Sequence, residues 1–144
     1  MKVSRSAIVP FSAEEMFALV EDIEHYPEFL PWCSGTEVTL RDSGRTCATI
    51  HISYRGVRQS FSTENRKSAP ERMTMNLVQG PFRALDGEWR FVMLAAAACR
   101  VEFNLQYEFS SSLLERLVGP VFGHIAGTMV DAFLKRAEQL YGRR

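Results

Sequence analysis

The chain has no surplus of either charge: its 17 Lys and Arg are matched by 17 Asp and Glu across 144 residues. A dedicated nucleic-acid binder carries a basic excess, so composition alone does not point to one. No apolar run approaches the ~20 residues that span a bilayer. The start, Met1-Lys2-Val3-Ser4-Arg5, has none of the apolar core of a signal peptide. Cysteine is scarce: Cys33, Cys47 and Cys99 are odd in number and far apart, which excludes a disulfide framework or a zinc knuckle. They read as reduced, buried thiols, and the expected location is the cytoplasm, with contact at the inner membrane as the other setting. Histidine is equally sparse, and His25, His51 and His124 fall in no nucleophile or metal pattern. The spacing therefore assigns no catalytic residue and no metal ligand. With no repeat, linker or low-complexity tract, residues 1–144 read as one domain.

What the chain does contain is period. From Leu113 to Tyr141 the apolar residues Leu114, Leu117, Val118, Val121, Phe122, Ile125, Met129 and Phe133 recur at helical spacing. Glu115, Arg116, Lys135, Arg136 and Glu138 occupy the other side. This predicts a short turn followed by one long amphipathic helix. Near the other end, Val3–Val9 alternates as a strand and stops at Pro10. Ser12 and Glu15 then form an S-x-x-E capping box, with Phe11 and Met16 placed for a hydrophobic staple. A second short helical segment, Glu24–Leu30, is ended by Pro31.

Between these helices the period is two. Ala48, Ile50, Ile52 and Tyr54 share a face that turns at Arg55-Gly56 onto Val57, Gln59, Phe61 and Thr63. Met73, Met75 and Leu77 follow. Next come Leu85, Gly87, Trp89, Phe91 and Met93, and then Val101, Phe103, Leu105, Tyr107 and Phe109. The stretch Leu94–Cys99 places four alanines where a polar turn is expected, which predicts a longer, packed loop. One strand, two short helices, six strands and a long helix make an α+β layout. A bent seven-stranded antiparallel sheet would grip the last helix.

Particular residues carry a family resemblance. Asp22-Ile23-Glu24-His25-Tyr26-Pro27-Glu28-Phe29-Leu30-Pro31-Trp32-Cys33 is similar to the D-I-E-x-Y-P-x-F-L-P-W-C signature of the coenzyme Q-binding START-domain family. Gly80-Pro81-Phe82 with Leu85, Gly87, Trp89 and Phe91 resembles its G-P-F-x-x-L-x-G-x-W-x-F segment, and Gly119–Phe122 and Val130–Phe133 resemble its closing helix. The resemblance implies the START-like helix-grip fold. It also implies a ubiquinone-like polyprenyl quinone as bound ligand, with no covalent cofactor. For the bacterial ribosome association toxin branch it implies binding to the large ribosomal subunit and a block on subunit joining.

On this basis the expected cavity set is Tyr54, Gln59, Phe61, Met75, Trp89, Phe91, Phe103, Leu105, Tyr107, Phe122, Ile125, Gly127 and Met129. Phe29, Trp32 and Phe82 frame the mouth. A curved sheet touching one helix has a centre to fill, by large side chains or by a guest. Gly127 is read as space left for that guest or as a close contact with the sheet, since Gly inside a helix costs about 1 kcal/mol against Ala. Gln59, Thr63, Gln79 and the hydroxyls of Tyr54 and Tyr107 are the inward polar groups available to a carbonyl oxygen. At ~25 cal/mol per Å² each buried isoprene unit would contribute roughly 2 kcal/mol. The first functional expectation is therefore non-enzymatic lipid or quinone binding in support of respiration, with a membrane surface as a transient partner. The alternative is ribosome association, for which Lys135, Arg136, Arg143 and Arg144 are the candidate cations. A polyketide cyclase or aromatase is the third, and it requires an inward acid–base pair that the strand parity does not supply. No DNA partner is expected.

Overall fold

A computed structural model describes residues 1–143. Strand β1 (Lys2–Val9) leads to helix α1 (Ala13–Glu21) and a 3₁₀ segment, Ile23–Glu28. Six strands follow: β2 (Cys33–Arg41), β3 (Arg45–Tyr54), β4 (Val57–Ser68), β5 (Arg72–Gln79), β6 (Phe82–Ala95) and β7 (Ala98–Phe109). Helices α2 (Ser112–Gly127) and α3 (Met129–Tyr141) close the chain. All seven strands pair antiparallel in the order β1-β7-β6-β5-β4-β3-β2. Register shifts in β2, between β4 and β5, and twice between β6 and β7 bend the strands. The sheet thereby curls around the helices, as the alternation predicted.

Local chemistry explains the joints. The Ser12 hydroxyl accepts from the Glu15 amide at 3.1 Å, and the Glu15 carboxylate accepts from the Ser12 amide at 3.0 Å. Phe11 and Met16 beside this capping box are fully buried. In the β3–β4 hairpin Tyr54 pairs with Val57, and Arg55 and Gly56 take φ of 50° and 80°. Both turn residues are left-handed, which matches the twist of the two strands. The Asp42 carboxylate accepts from the Gly44 and Arg45 amides to make the β2–β3 turn, and these bonds hold its pKa below the usual carboxylate range.

Several expectations need correction. The long helix is two helices, bent by 44°. Thr128 lies at the break: its hydroxyl donates to the carbonyls of His124 (3.0 Å) and Ile125 (3.1 Å). Such back-bonding, next to a glycine, bends helices. Leu117, expected on the greasy face, is 60% exposed, because the half-buried Leu114 and the buried Val118 take the contact instead. Met93 is 70% exposed, since β6 runs beyond the core there. Gln79 is exposed too, because the shift between Ser62 and Thr63 breaks the expected parity. The alanine stretch forms a two-residue turn, with Ala95 paired to Ala98. No single described helix is long and apolar enough to cross a membrane.

The core lies between the concave sheet face and the helices. Trp89 packs 4.6 Å from Phe103 and 5.4 Å from Phe133, ring centre to ring centre. Phe133 also meets Tyr26 (5.4 Å) and Phe29 (5.3 Å), tying α3 to the 3₁₀ segment. Phe122 of α2 seats among Phe82, Tyr107 and Phe61.

Candidate functional site

A partly enclosed cavity of about 70 Å³ lies under the helices. Val20, Ile23 and Tyr26 close one side. Ile50, Phe61, Met73, Met75, Leu85, Trp89, Phe103 and Leu105 form the sheet wall, and Phe122, Ile125, Ala126 and Met129 form the roof. Period-two alternation supplies the wall and the α2–α3 joint supplies the roof. Trp32 completes it from just before β2.

Its polar content is concentrated in one place. Thr63 and Asn65 line the cavity and are each 5% exposed. The Thr63 hydroxyl donates to Asn65 Oδ1 at 2.9 Å. That bond fixes the amide, and its NH₂ meets no acceptor among the described residues. Tyr26 is not available in the same way, since its hydroxyl donates to the Val20 carbonyl, and burial raises its pKa. No carboxylate, imidazole, amine or thiol lines the space. Burial pushes the Cys33 thiol up and the Cys99 thiol up to about 11, so both stay protonated at neutral pH. No cluster of His, Cys, Asp and Glu among the described residues has metal-binding geometry. The chemistry available here is burial of apolar surface plus one or two directed hydrogen bonds.

Eight residues of the expected cavity set meet at this space: Phe61, Met75, Trp89, Phe103, Leu105, Phe122, Ile125 and Met129. Five do not. Phe91 lies one step further along β6 and packs edge-on against Phe17 of α1. Tyr107 packs against Phe82, Phe109 and Phe122, with its hydroxyl beneath Gly123, and burial raises its pKa. Tyr54 stacks on His124 at the hairpin tip. Gln59 sits in a separate surface groove with Ser34, His51 and Arg58. Gly127 faces β1 rather than the cavity: a Cβ there would meet Arg5 Nη2 at 3.3 Å. Of the two readings of Gly127, the close contact with the sheet is the one observed, so enlarging it would crowd Arg5 and leave the cavity unfilled.

The expected mouth is also split. Trp32 lines the cavity. Phe29 instead packs on Phe133 with the Arg136 guanidinium 5.0 Å above it, and Phe82 stacks on Phe109. The expected basic cluster is likewise dispersed. Arg136 also pairs with Glu28, Arg143 lies 3.7 Å from Glu138, and Arg144 is outside the described residues. Asn65 was missed, although extending the Val57–Thr63 alternation by two residues reaches it. Val20, Ile23 and Tyr26 carried no such signal, because their approach depends on how α1 docks.

A model of the polyketide cyclase / dehydrase and lipid transport family matches residues 9–134. The chain is 45% identical over 141 residues to a Vibrio cholerae protein named ribosome association toxin RatA, covering 98% of both chains. Its identity to the RatA of Escherichia coli K12 is 42% over 143 residues, 99% of this chain and 90% of that one. A Xenopus laevis coenzyme Q-binding protein COQ10 homolog B is more distant, at 28% identity over all of this chain and 61% of its own. Among solved structures, the Zhui aromatase/cyclase of a Streptomyces species superposes with a TM-score of 0.86 at 14% identity, covering 100% and 99% of the two chains. A START superfamily protein from Mycobacterium smegmatis gives 0.77 at 23%, covering 96% and 98%. The curled sheet, the gripped helices and these matches agree, and the chain belongs to the polyketide cyclase / dehydrase and lipid transport family, alongside the RatA-named proteins.

Proposed function

We propose that this protein associates with the ribosome and hinders the joining of its subunits. The observation that carries the reading is identity of 42–45% along almost the whole chain to proteins named for ribosome association. Exposed arginines that make no ion pair among the described residues, Arg55, Arg58 and Arg116 among them, are consistent with a phosphate-rich partner. Sucrose-gradient sedimentation of bacterial extracts tests it. The protein is expected in the large-subunit fraction, with joined ribosomes depleted and free subunits increased when it is overproduced. A protein that stays at the top of the gradient over an unchanged profile would refute the proposal.

A second reading, non-enzymatic binding of a hydrophobic ligand such as a ubiquinone-like polyprenyl quinone, is favoured by one specific feature. The oriented, unpartnered Asn65 amide lies in an otherwise apolar cavity and suits a carbonyl oxygen. Size bears on this reading. A cavity of ~150 Å³ holds benzene, and this one is about 70 Å³. The wall aromatics already fill most of the centre that was expected to be hollow. A quinone head with its tail therefore enters only if the roof moves, and the bend at Thr128 is the joint that would allow it. Native mass spectrometry of the purified protein is expected to show a bound quinone mass. Asn65→Leu should weaken that binding about tenfold while the protein stays folded. Wild-type protein that is empty and takes up no added quinone would eliminate this reading. A lining without carboxylate or imidazole supports binding over turnover.

A further inference from the structure

The rim next to the α2 roof carries a group of side chains that the cavity does not use. Tyr54 and His124 stack with ring centres 6.0 Å apart and planes 13° from parallel. The Arg55 guanidinium also lies over the Tyr54 ring, 4.9 Å from its centre. Arg55 is held out by the left-handed turn, and Arg58 follows three residues later on the outer side of β4. Along α2, Arg116, Pro120 and His124 are spaced by four and are all exposed. This stripe covers about 12 Å of helix. None of Arg55, Arg58 and Arg116 makes an ion pair among the described residues. Nearby Glu37 is instead bonded to His51. On a chain of zero net charge, three arginines without ion pairs share one rim with a stacked aromatic pair.

We infer that the β3–β4 hairpin tip and the outer stripe of α2 form a contact for single-stranded RNA, in which Arg55, Arg58 and Arg116 hold phosphates and the Arg55–Tyr54–His124 stack receives a base. The inference rests on the ribosome reading and specifies the surface it uses. Unpaired RNA bases stack on aromatic rings and on guanidinium planes, and phosphate contacts make such binding fall with salt. A protein partner would instead draw on Leu113 and Leu117, which are exposed on the same helix, and its binding would be nearly insensitive to salt.

The test uses purified large ribosomal subunits and, separately, a short fluorescent oligouridine. Arg55→Glu with Arg58→Glu is expected to weaken both bindings about tenfold or more and to flatten the log K against log salt slope by about 1.4. Tyr54→Leu, which keeps every charge, should weaken oligouridine binding about tenfold. Arg55→Asn, which tolerates the left-handed turn, checks that loss of charge rather than of the hairpin is responsible. Lys135→Glu with Arg143→Glu, on α3 and at its end, should bind as wild type. Oligouridine binding that depends on Arg55 and Arg58 without subunit binding would uphold the surface and overturn the ribosome reading. Subunit binding that survives the Arg55/Arg58 change, is lost only with Lys135/Arg143, or ignores salt would overturn the surface.

Discussion

Replacing Glu21 by alanine is expected to lower the free energy of unfolding by about 3–5 kcal/mol. Glu21 ends α1, and its Oε1 accepts from Lys67 Nζ (2.8 Å), Thr46 Oγ1 (2.8 Å) and Arg41 Nε (3.0 Å). These donors come from β4, β3 and β2, so one carboxylate fastens the helix end to three strands. The Lys67 side chain is only 7% exposed, and Glu21 is its one ion-pair partner among the described residues. Thr46 is fully buried. Removing the carboxylate strands an ammonium where water cannot replace the lost bond. Lys67→Met should cost less, about 1–2 kcal/mol, because Glu21 keeps Arg41 and Thr46. Urea denaturation with an unchanged m-value measures both. A Glu21→Ala midpoint close to wild type would show that the network contributes little, and the docking of α1 would then rest on Phe17 and Val20.

Phe122→Ala is expected to cost about 3–5 kcal/mol and, in the same step, to create a binding site. The ring touches Phe61, Phe82, Tyr107 and Phe109 and also forms part of the cavity roof. Its removal joins a ring-sized void to the existing space of about 70 Å³. The sum falls in the range where dry apolar cavities hold benzene. Benzene should therefore raise the unfolding temperature of the variant and leave the wild type unchanged, in the manner of any ligand that binds only the folded state. A variant that loses stability but gains nothing from benzene would mean that α2 collapses into the gap.

Much of the fold was legible because it is written in short-range chemistry. The capping box at Ser12 and Glu15, the Arg55-Gly56 turn, and the alternation of Phe103, Leu105 and Tyr107 each depend on a few neighbouring residues. Errors gathered where distant parts compete. Met93 keeps the right parity but lies beyond the reach of the helices, and Gln79 loses its parity at a register shift. Leu117 has the right helical spacing but the wrong side of the contact. Ala96 and Ala97 make a tight turn that their composition did not announce.

The candidate site divides along the same line. Residue order by itself determined the family, the seven-stranded sheet and most of the cavity wall, because a period of two commits every second side chain to one face. Only the tertiary structure decided how much of the enclosed space remains, that Gly127 abuts Arg5 of β1 and not a guest, and that Tyr54 belongs to an outer rim with His124. Those outcomes depend on the angle at Thr128 and on how α1 and the 3₁₀ segment seat. Packing of residues far apart in the chain sets both, and periodicity carries no information about either.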